Sequence, residues 1–225
     1  MASESMEFGH RLRDRFQLGA GFVQLNHGSY GATPIAVEEA CRGHRRAMEE
    51  SPELWFRRDV FTHLDAVRER MAAFVNAEDA DDLVFVDNAS DGVNAVLRSW
   101  TRGGRLLVLN LAYGTTKNCA RLVAGRHGFT EVVTLEVPLP KSDAEIVALV
   151  ANCLDETEDV TLAEFSHITS SPAMLLPVRE LVEACRRRGV RTLVDGAHAL
   201  GQVRVDVREI GCDFYAANAH KWLYR

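Results

Sequence analysis

VRTLVDGAHALGQVRVDVREIGCDFYAANAHK, residues 190–221, contains two apolar runs, VRTLVD (190–195) and CDFYAA (212–217), joined by a polar connection. Runs this apolar are typical of strands buried on both faces, and therefore of a parallel sheet covered by helices. Asp195 closes the first strand, and His220 and Lys221 follow the second. Ligands of open α/β sheets bind at the carboxyl edge of the strands, so this stretch predicts a polar site at that edge.

The same alternation of strand and helix extends upstream through most of the chain. The other predicted strands are LVFVD (83–87), RLLVL (105–109), EVVTLEV (131–137) and VTLAEF (160–165). Helical patterns separate them at 90–100, 114–127, 142–154 and 177–189. This order predicts the α/β class, with a mostly parallel sheet covered by helices on both faces and right-handed crossovers.

The N-terminal third has a different pattern. A short amphipathic helix is expected near the start, followed by a short strand at FVQLN (22–26) and a Gly-rich turn. Thr33 and Pro34 predict a helix start, with Thr33 as the cap, and that helix extends to about Glu50. A second helix is predicted over 59–75, where apolar residues recur at helical spacing: Val60, Leu64, Val67, Met71 and Phe74. We divide the chain into residues 1–30 and a large domain, 31–225.

Composition excludes several classes of protein. The 225 residues carry a net charge of −6, which disfavours nucleic-acid binding. No run approaches the roughly 20 apolar residues of a membrane span, and the N-terminus lacks the apolar core of a secretory signal. The five cysteines are scattered without close pairs, as expected for reduced thiols. We therefore predict a cytoplasmic protein that has no nucleic-acid or membrane partner.

The common signatures of α/β enzymes are missing. The chain has no GxGxxG, GxxxxGK[ST] or GxSxG motif, which disfavours a dinucleotide-binding fold, a P-loop and a hydrolase elbow. It has no HExxH, and its eight histidines are dispersed, so no metal site is predicted.

One strand-to-helix junction has the features of an anion site. Asn88, Ala89 and Ser90 lie where a predicted strand passes into a helix, whose first N–H groups and dipole favour an anion. The alternative is that Ser90 or Asn88 only caps the helix. Asp195 should also have a partner, because an unpaired buried carboxylate is costly. That partner is either a helix start, which Asp195 would cap, or a ligand.

Six stretches, in this order along the chain, resemble the class V aminotransferase group of the fold-type I pyridoxal-phosphate enzymes. The nearest likeness is to its isopenicillin N epimerase-like and cysteine desulfhydrase-like branch. The stretches are LNHGSYGATP, FVDNASDGVNAVLR, the tyrosine of LNLAYGTTKN, HITSSPAMLLPV, LVDGAHALGQVRVDV and DFYAANAHKWL. The resemblance implies the large domain of that fold.

The resemblance also implies roles for the matching residues. The implied catalytic residues are Lys221 as the lysine that forms the Schiff base with pyridoxal 5'-phosphate, Asp195 as the partner of the ring nitrogen, and His198 near the ring hydroxyl. Tyr113 matches the aromatic residue that stacks on the ring. The phosphate is expected at Ala89, Ser90, Asn218 and His220, and the substrate at Asn26, His27 and Gly28.

The implied reaction is a C–S β-elimination at cysteine or a cysteine conjugate, with epimerisation or transamination as alternatives. Related chains normally continue into a further strand and a small C-terminal domain, and they form homodimers. This chain ends at Arg225, so we expect an incomplete large domain without the small one. A non-catalytic fragment that pairs with full-length subunits is a further alternative.

Overall fold

The computed structural model describes residues 9–126 and 128–224. The contacts within the chain divide it into two compact units. The N-terminal unit comprises the described residues up to Glu69 together with those from Ala219 onward, and the sheet unit comprises Arg70–Asn218. This division does not test the predicted functional boundary at residue 30, which stays a prediction.

A five-stranded sheet forms the centre of the sheet unit. The strands are β1 (Arg105–Leu109), β2 (Glu131–Leu135), β3 (Val160–Ser166), β4 (Arg191–Gly196) and β5 (Phe214–Ala217). Their order is β2-β1-β3-β4-β5, and every neighbouring pair is parallel. The expected parallel α/β sheet is confirmed, and it places β3 and β4 inside the sheet with a neighbour on each side.

Helices precede, connect and follow these strands. They are α1 (Ile35–Glu50), α2 (Pro52–Leu54), α3 (Val60–Phe74), α4 (Ala89–Arg98), α5 (Gly114–Val123), α6 (Asp143–Glu156), α7 (Val178–Arg186), α8 (Val207–Ile210) and α9 (Ala219–Trp222). A π-helical turn, Trp55–Asp59, joins α2 to α3. None of the helices in the described part of the chain is long and apolar enough to cross a membrane.

The main apolar cluster lies between the sheet and the helices α4 and α5. Leu97 of α4, Val123 of α5, and Leu106, Leu162 and Leu193 of the strands are fully buried there. Helix α7 packs against β3 and β4, and α6 packs against α7. Burial of both sheet faces explains why the strands are apolar throughout rather than alternating.

Several predicted elements of the first 90 residues are wrong. Residues 83–87 form no strand, and Val84 is 76 % exposed. No described strand pairs with this run, and an apolar run without a pairing partner cannot form a ladder. FVQLN forms no strand either, and Thr33 does not cap α1, which begins at Ile35 after Pro34 without a side-chain cap.

The predicted helix near the start lies partly outside the described residues. Within them, His10–Arg15 form a 3-10 helix. The predicted helix over 59–75 is confirmed as α3, but Leu64, Val67 and Phe74 of its apolar stripe are exposed.

Candidate functional site

The Asp195 carboxylate lies at the carboxyl end of β4, between Ser166 of β3 and Ala216 of β5. It is buried, and its two oxygens are held by different donors. Oδ1 accepts a hydrogen bond from the backbone N–H of Ala197 at 3.0 Å, and Oδ2 accepts one from the Thr116 hydroxyl at 3.4 Å. Asp195 does not cap a helix, so the structure favours the ligand-partner interpretation over the cap.

The N-terminus of α4 supplies the second part of the site. Asn88 caps this helix, because its Oδ1 accepts the N–H of Asp91 at 3.0 Å. Ser90 lies in the first turn, and neither its N–H nor its hydroxyl bonds to another residue in the described ranges. The two alternatives for this junction are therefore separated, with Asn88 as the cap and Ser90 available to an anion.

Asn218 joins the end of β5 to the same helix terminus. Its buried side-chain oxygen accepts the Ala89 N–H at 2.7 Å. This bond brings two predicted phosphate residues, Ala89 and Asn218, into direct contact. It also occupies the Ala89 N–H, so Ser90 is the better candidate for the direct donor.

Tyr113 and His198 occupy loop positions that follow β1 and β4, two strands that β3 separates in the sheet. Tyr113 directly precedes α5 and is half exposed, three residues before Thr116. His198 lies in the turn after β4, where its carbonyl accepts a hydrogen bond from the Gln202 side chain at 2.7 Å. Both positions are compatible with the roles that the sequence predicts, and those roles stay predictions.

The predicted substrate segment and Lys221 belong to the N-terminal unit. The His27 ring packs against Trp222, with ring centroids 5.7 Å apart, and against Tyr224 at 4.7 Å. Trp222 directly follows Lys221 on α9. Asn26 closes the local turn, because its carbonyl accepts the N–H groups of Ser29 and Tyr30.

Three features of this turn fit a binding role. The Nε2 atom of His27 is buried and has no hydrogen-bond partner among the described residues. Gly31 lies so close to His27 that an added Cβ would come within 2.7 Å of the imidazole ring. Gly28 is buried, as expected where the backbone is closely packed. The tight turn therefore fixes the imidazole against the helix that carries Lys221.

Sequence reasoning missed two residues that interact with Asp195. Thr116 donates to Asp195, and its only signal is its spacing of one helical turn from Tyr113. Glu164 is fully buried in β3, and burial together with the negative charge of Asp195 holds its pKa well above the usual range. The signal for Glu164 was a single acidic residue within an apolar strand.

His167, directly after β3, and Tyr215 of β5 pair on the sheet face opposite Asp195. His167 Nδ1 and the Tyr215 hydroxyl lie 2.8 Å apart. Burial lowers the pKa of His167 and raises that of Tyr215, so both are neutral near pH 7. Among the described residues, no group of three or more His, Cys, Asp or Glu side chains could hold a metal ion.

Comparison with known proteins places most of the chain in one family. The model of the aminotransferase class-V family matches residues 51–224. The chain belongs to the aminotransferase class-V family. The match includes Ser90, Asp195 and Lys221, so the three main predicted positions fall within the part of the chain that is characteristic of the family.

Curated relatives of this class-V chain include proteins named as desulfhydrases and as epimerases. It is 37 % identical over 222 residues to "Putative L-cysteine desulfhydrase 1" of Oryza sativa subsp. japonica, covering 91 % of this chain and 45 % of the relative. It is 36 % identical over 214 residues to "Isopenicillin N epimerase" of Streptomyces clavuligerus, covering 94 % and 53 %. The chain thus spans about half the length of the curated relatives it matches.

Solved structures of similar fold include the cystine C–S lyase C-DES. Its complex with the reaction product cysteine persulfide matches at a TM-score of 0.81 and 26 % identity, covering 90 % of the class-V chain and 54 % of C-DES. A C-DES mutant with glycine covalently linked to its pyridoxal-phosphate cofactor matches at a TM-score of 0.82 and 25 % identity, covering 93 % and 56 %. The predicted relation to fold-type I enzymes is confirmed.

Proposed function

We propose that this chain is the cofactor-binding part of a pyridoxal-phosphate enzyme that cleaves the C–S bond of cysteine or a cysteine conjugate. The observation that carries the proposal is the Asp195 carboxylate, which is anchored by two donors at the sheet edge. The names of the desulfhydrase and lyase relatives support the substrate class.

The donor set fits the chemical groups of the cofactor. A carboxylate held in one orientation suits a protonated ring nitrogen, because a charge-assisted hydrogen bond contributes about 1.5–3 kcal/mol. The uncommitted N–H and hydroxyl of Ser90, at the start of α4, suit a phosphate dianion. Ala89, Asn218 and His220 would complete the phosphate site, Tyr113 would cover the ring, and His198 would approach the ring hydroxyl.

Pyridoxal phosphate, when bound, supplies an electron sink for the pair left on the substrate Cα. The residues of the chain supply positioning and proton transfer. Lys221 has the primary amine that can bond covalently to a carbonyl carbon, and the same amine can remove the Cα proton. Asp195 keeps the ring nitrogen protonated, which maintains the sink. The Asn26–Gly28 turn, with its fixed His27, would contact the substrate.

Loss of a Cα proton followed by departure of the sulfur from Cβ gives the β-elimination. The alternative outcome is return of the proton to Cα on the other face, which is epimerisation. The relatives named isopenicillin N epimerase favour this second candidate within the same family. A homodimer and a cytoplasmic location belong to the proposal as well, and the free state of all five cysteines is compatible with that location.

The test is sulfide release from L-cysteine by the purified chain supplied with pyridoxal phosphate. We expect release above that of the free cofactor, and a roughly 10- to 100-fold loss in Asp195→Asn, because the replacement removes a charge-assisted bond of about 1.5–3 kcal/mol. Asp159→Asn, in the turn before β3, is the matched control and should retain the rate.

Two outcomes would count against the proposal. Equal sulfide release by the wild type and Asp195→Asn would remove the assigned role of that carboxylate. Exchange of the Cα proton without sulfide release, measured by solvent deuterium incorporation, would favour the epimerase.

A further inference from the structure

Glu164 is an acidic residue buried inside the sheet unit. It lies in the middle of β3, is fully buried, and neither carboxyl oxygen has a hydrogen-bond partner among the described residues. Buried polar groups are nearly always hydrogen-bonded in native proteins, so each exception requires an explanation. Nothing in the proposed chemistry so far uses this residue.

The strand register places Glu164 on the same sheet face as Asp195. Ser166 pairs with Asp195 across β3 and β4, and Glu164 is two residues before Ser166, so the alternation of side chains brings it to that face. Glu164 pairs directly with Leu193 on β4 and with Val108 on β1. The two carboxyl groups are therefore diagonal neighbours on adjacent strands.

The surroundings of Glu164 on that face are apolar. Val108, Leu162 and Leu193 belong to the apolar cluster formed with α4 and α5. A carboxylate in such a cluster would lose its hydration without gaining hydrogen bonds. The neutral acid is much less costly to bury, because it carries no net charge.

Among the described residues of the sheet unit, the charged group that acts on Glu164 is Asp195 on β4, which is negative. The apolar cluster on this face also contains the buried Cys119 thiol of α5, whose pKa is raised by burial. Asp91 and Arg98 of α4 and Arg121 of α5 are exposed, while the Lys117 ammonium group donates to the Asn110 carbonyl. Burial and the negative charge of Asp195 both raise the pKa of Glu164.

We propose that Glu164 and Asp195 form a carboxyl pair in which Glu164 keeps the proton and Asp195 remains the anion. The role of this pair rests on the proposed function. Glu164 is then a positioning residue, which acts on the cofactor ring nitrogen through Asp195. If Glu164 ionised first, repulsion would favour a proton on Asp195, and the charge that should face the ring would be lost. A pair of this kind titrates as one unit.

The pair has a consequence for stability against pH. The pKa of Glu164 is higher in the folded than in the unfolded chain. The contribution of Glu164 to folding stability is therefore fully present below its pKa in the unfolded chain, and it is lost as pH rises through its pKa in the folded chain. Glu164→Gln keeps the shape but cannot ionise. Across that window, the unfolding constant of the wild type should rise relative to Glu164→Gln by about tenfold per pH unit.

The first experiment uses the chain without cofactor. Infrared difference spectra over pH should show the C=O stretch of one protonated carboxylic acid near pH 7 in the wild type and none in Glu164→Gln. In Asp195→Asn the signal should remain, with its titration midpoint lowered by about one pH unit, because the neighbouring negative charge is gone. Glu164→Leu provides a second variant that lacks the signal if Glu164→Gln folds poorly.

Each outcome of this experiment decides the inference. Absence of the signal in the wild type, or its persistence in both Glu164 variants, would show that Glu164 does not hold the proton. An unchanged midpoint in Asp195→Asn would show that the two carboxyl groups are not coupled. If Glu164 had a purely structural role, the Asp195→Asn replacement would not shift that midpoint.

The second experiment uses the chain loaded with pyridoxal phosphate. Its visible absorption should change with pH at the midpoint of the carboxyl titration, and this change should be missing in Glu164→Gln. Identical profiles in both proteins would overturn the link to the ring. If the wild type binds no cofactor, the proposed function fails, while the infrared result still decides the carboxyl pair.

Discussion

The core of the sheet unit and the N-terminal unit differ in how completely they bury their apolar side chains. Leu106, Leu162 and Leu193 of the sheet unit are fully buried, whereas Leu25 of the N-terminal unit is 91 % exposed and Phe56 and Phe61 are more than half exposed. The sheet unit therefore has a closed apolar core, although Val84 and Leu175 outside that core are exposed. The N-terminal unit leaves apolar surface that its own residues do not cover, a feature that marks contact surfaces in soluble proteins.

The largest effect expected from this difference concerns leucine truncation. Leu162→Ala should lower the free energy of unfolding by about 2–5 kcal/mol, because it leaves a cavity in the closed core. Leu64→Ala on α3, where the side chain is exposed, should cost less than about 1 kcal/mol. Denaturant unfolding measures both, and similar losses would contradict the comparison.

A pair of glycine replacements should differ in sign. A Cβ at Gly196, at the end of β4, would lie 2.3 Å from the Tyr215 ring, so Gly196→Ala should cost about 1–3 kcal/mol through overpacking. Gly43 lies inside α1 with no atom near a Cβ, so Gly43→Ala should gain about 0.5–1 kcal/mol. In thermal unfolding, we expect the melting temperatures of the two variants to move in opposite directions. A lower melting temperature for Gly43→Ala would contradict the comparison.

The smallest difference concerns the helix starts. Asn88→Ala removes the hydrogen bond that the Asp91 N–H donates to Asn88 Oδ1 and should cost about 1 kcal/mol. Thr33→Ala precedes α1, which has no side-chain cap, and should change stability by less than about 0.5 kcal/mol. Urea midpoints of the two variants, measured without cofactor, provide the check. Equal shifts would mean that the Asn88 cap contributes nothing.

The same contrast explains which parts of the fold could be predicted from the sequence. The run RLLVL coincides with β1, and VRTLVD differs from β4 by one residue at each end, because strands buried on both faces produce an unbroken apolar run. The run LVFVD is as apolar as RLLVL, with four apolar residues of five, and forms no strand. Composition is local, but a strand also needs a pairing partner, which the sequence pattern does not reveal.

The residues of the candidate site also differ in whether the sequence alone could predict them. Asp195 and Ser90 could be placed from the sequence, because each follows from the end of a strand or the start of a helix. Thr116 and Glu164 could not, since their roles depend on a contact between α5 and β4 and on the register of β3 against β4. Residues that act through a neighbouring strand or helix become visible only when the register is known.

The most direct test of the central claim is to locate the lysine that binds the cofactor. The chain has three lysines, Lys117, Lys141 and Lys221. After incubation with pyridoxal phosphate and reduction with borohydride, peptide mass mapping should find the modification on Lys221. The visible absorption band of bound pyridoxal phosphate should be present in the wild type and in the control Lys141→Ala, and it should be absent in Lys221→Ala. Modification of Lys117 or Lys141 with Lys221 unmodified, or an unchanged band in Lys221→Ala, would contradict the account.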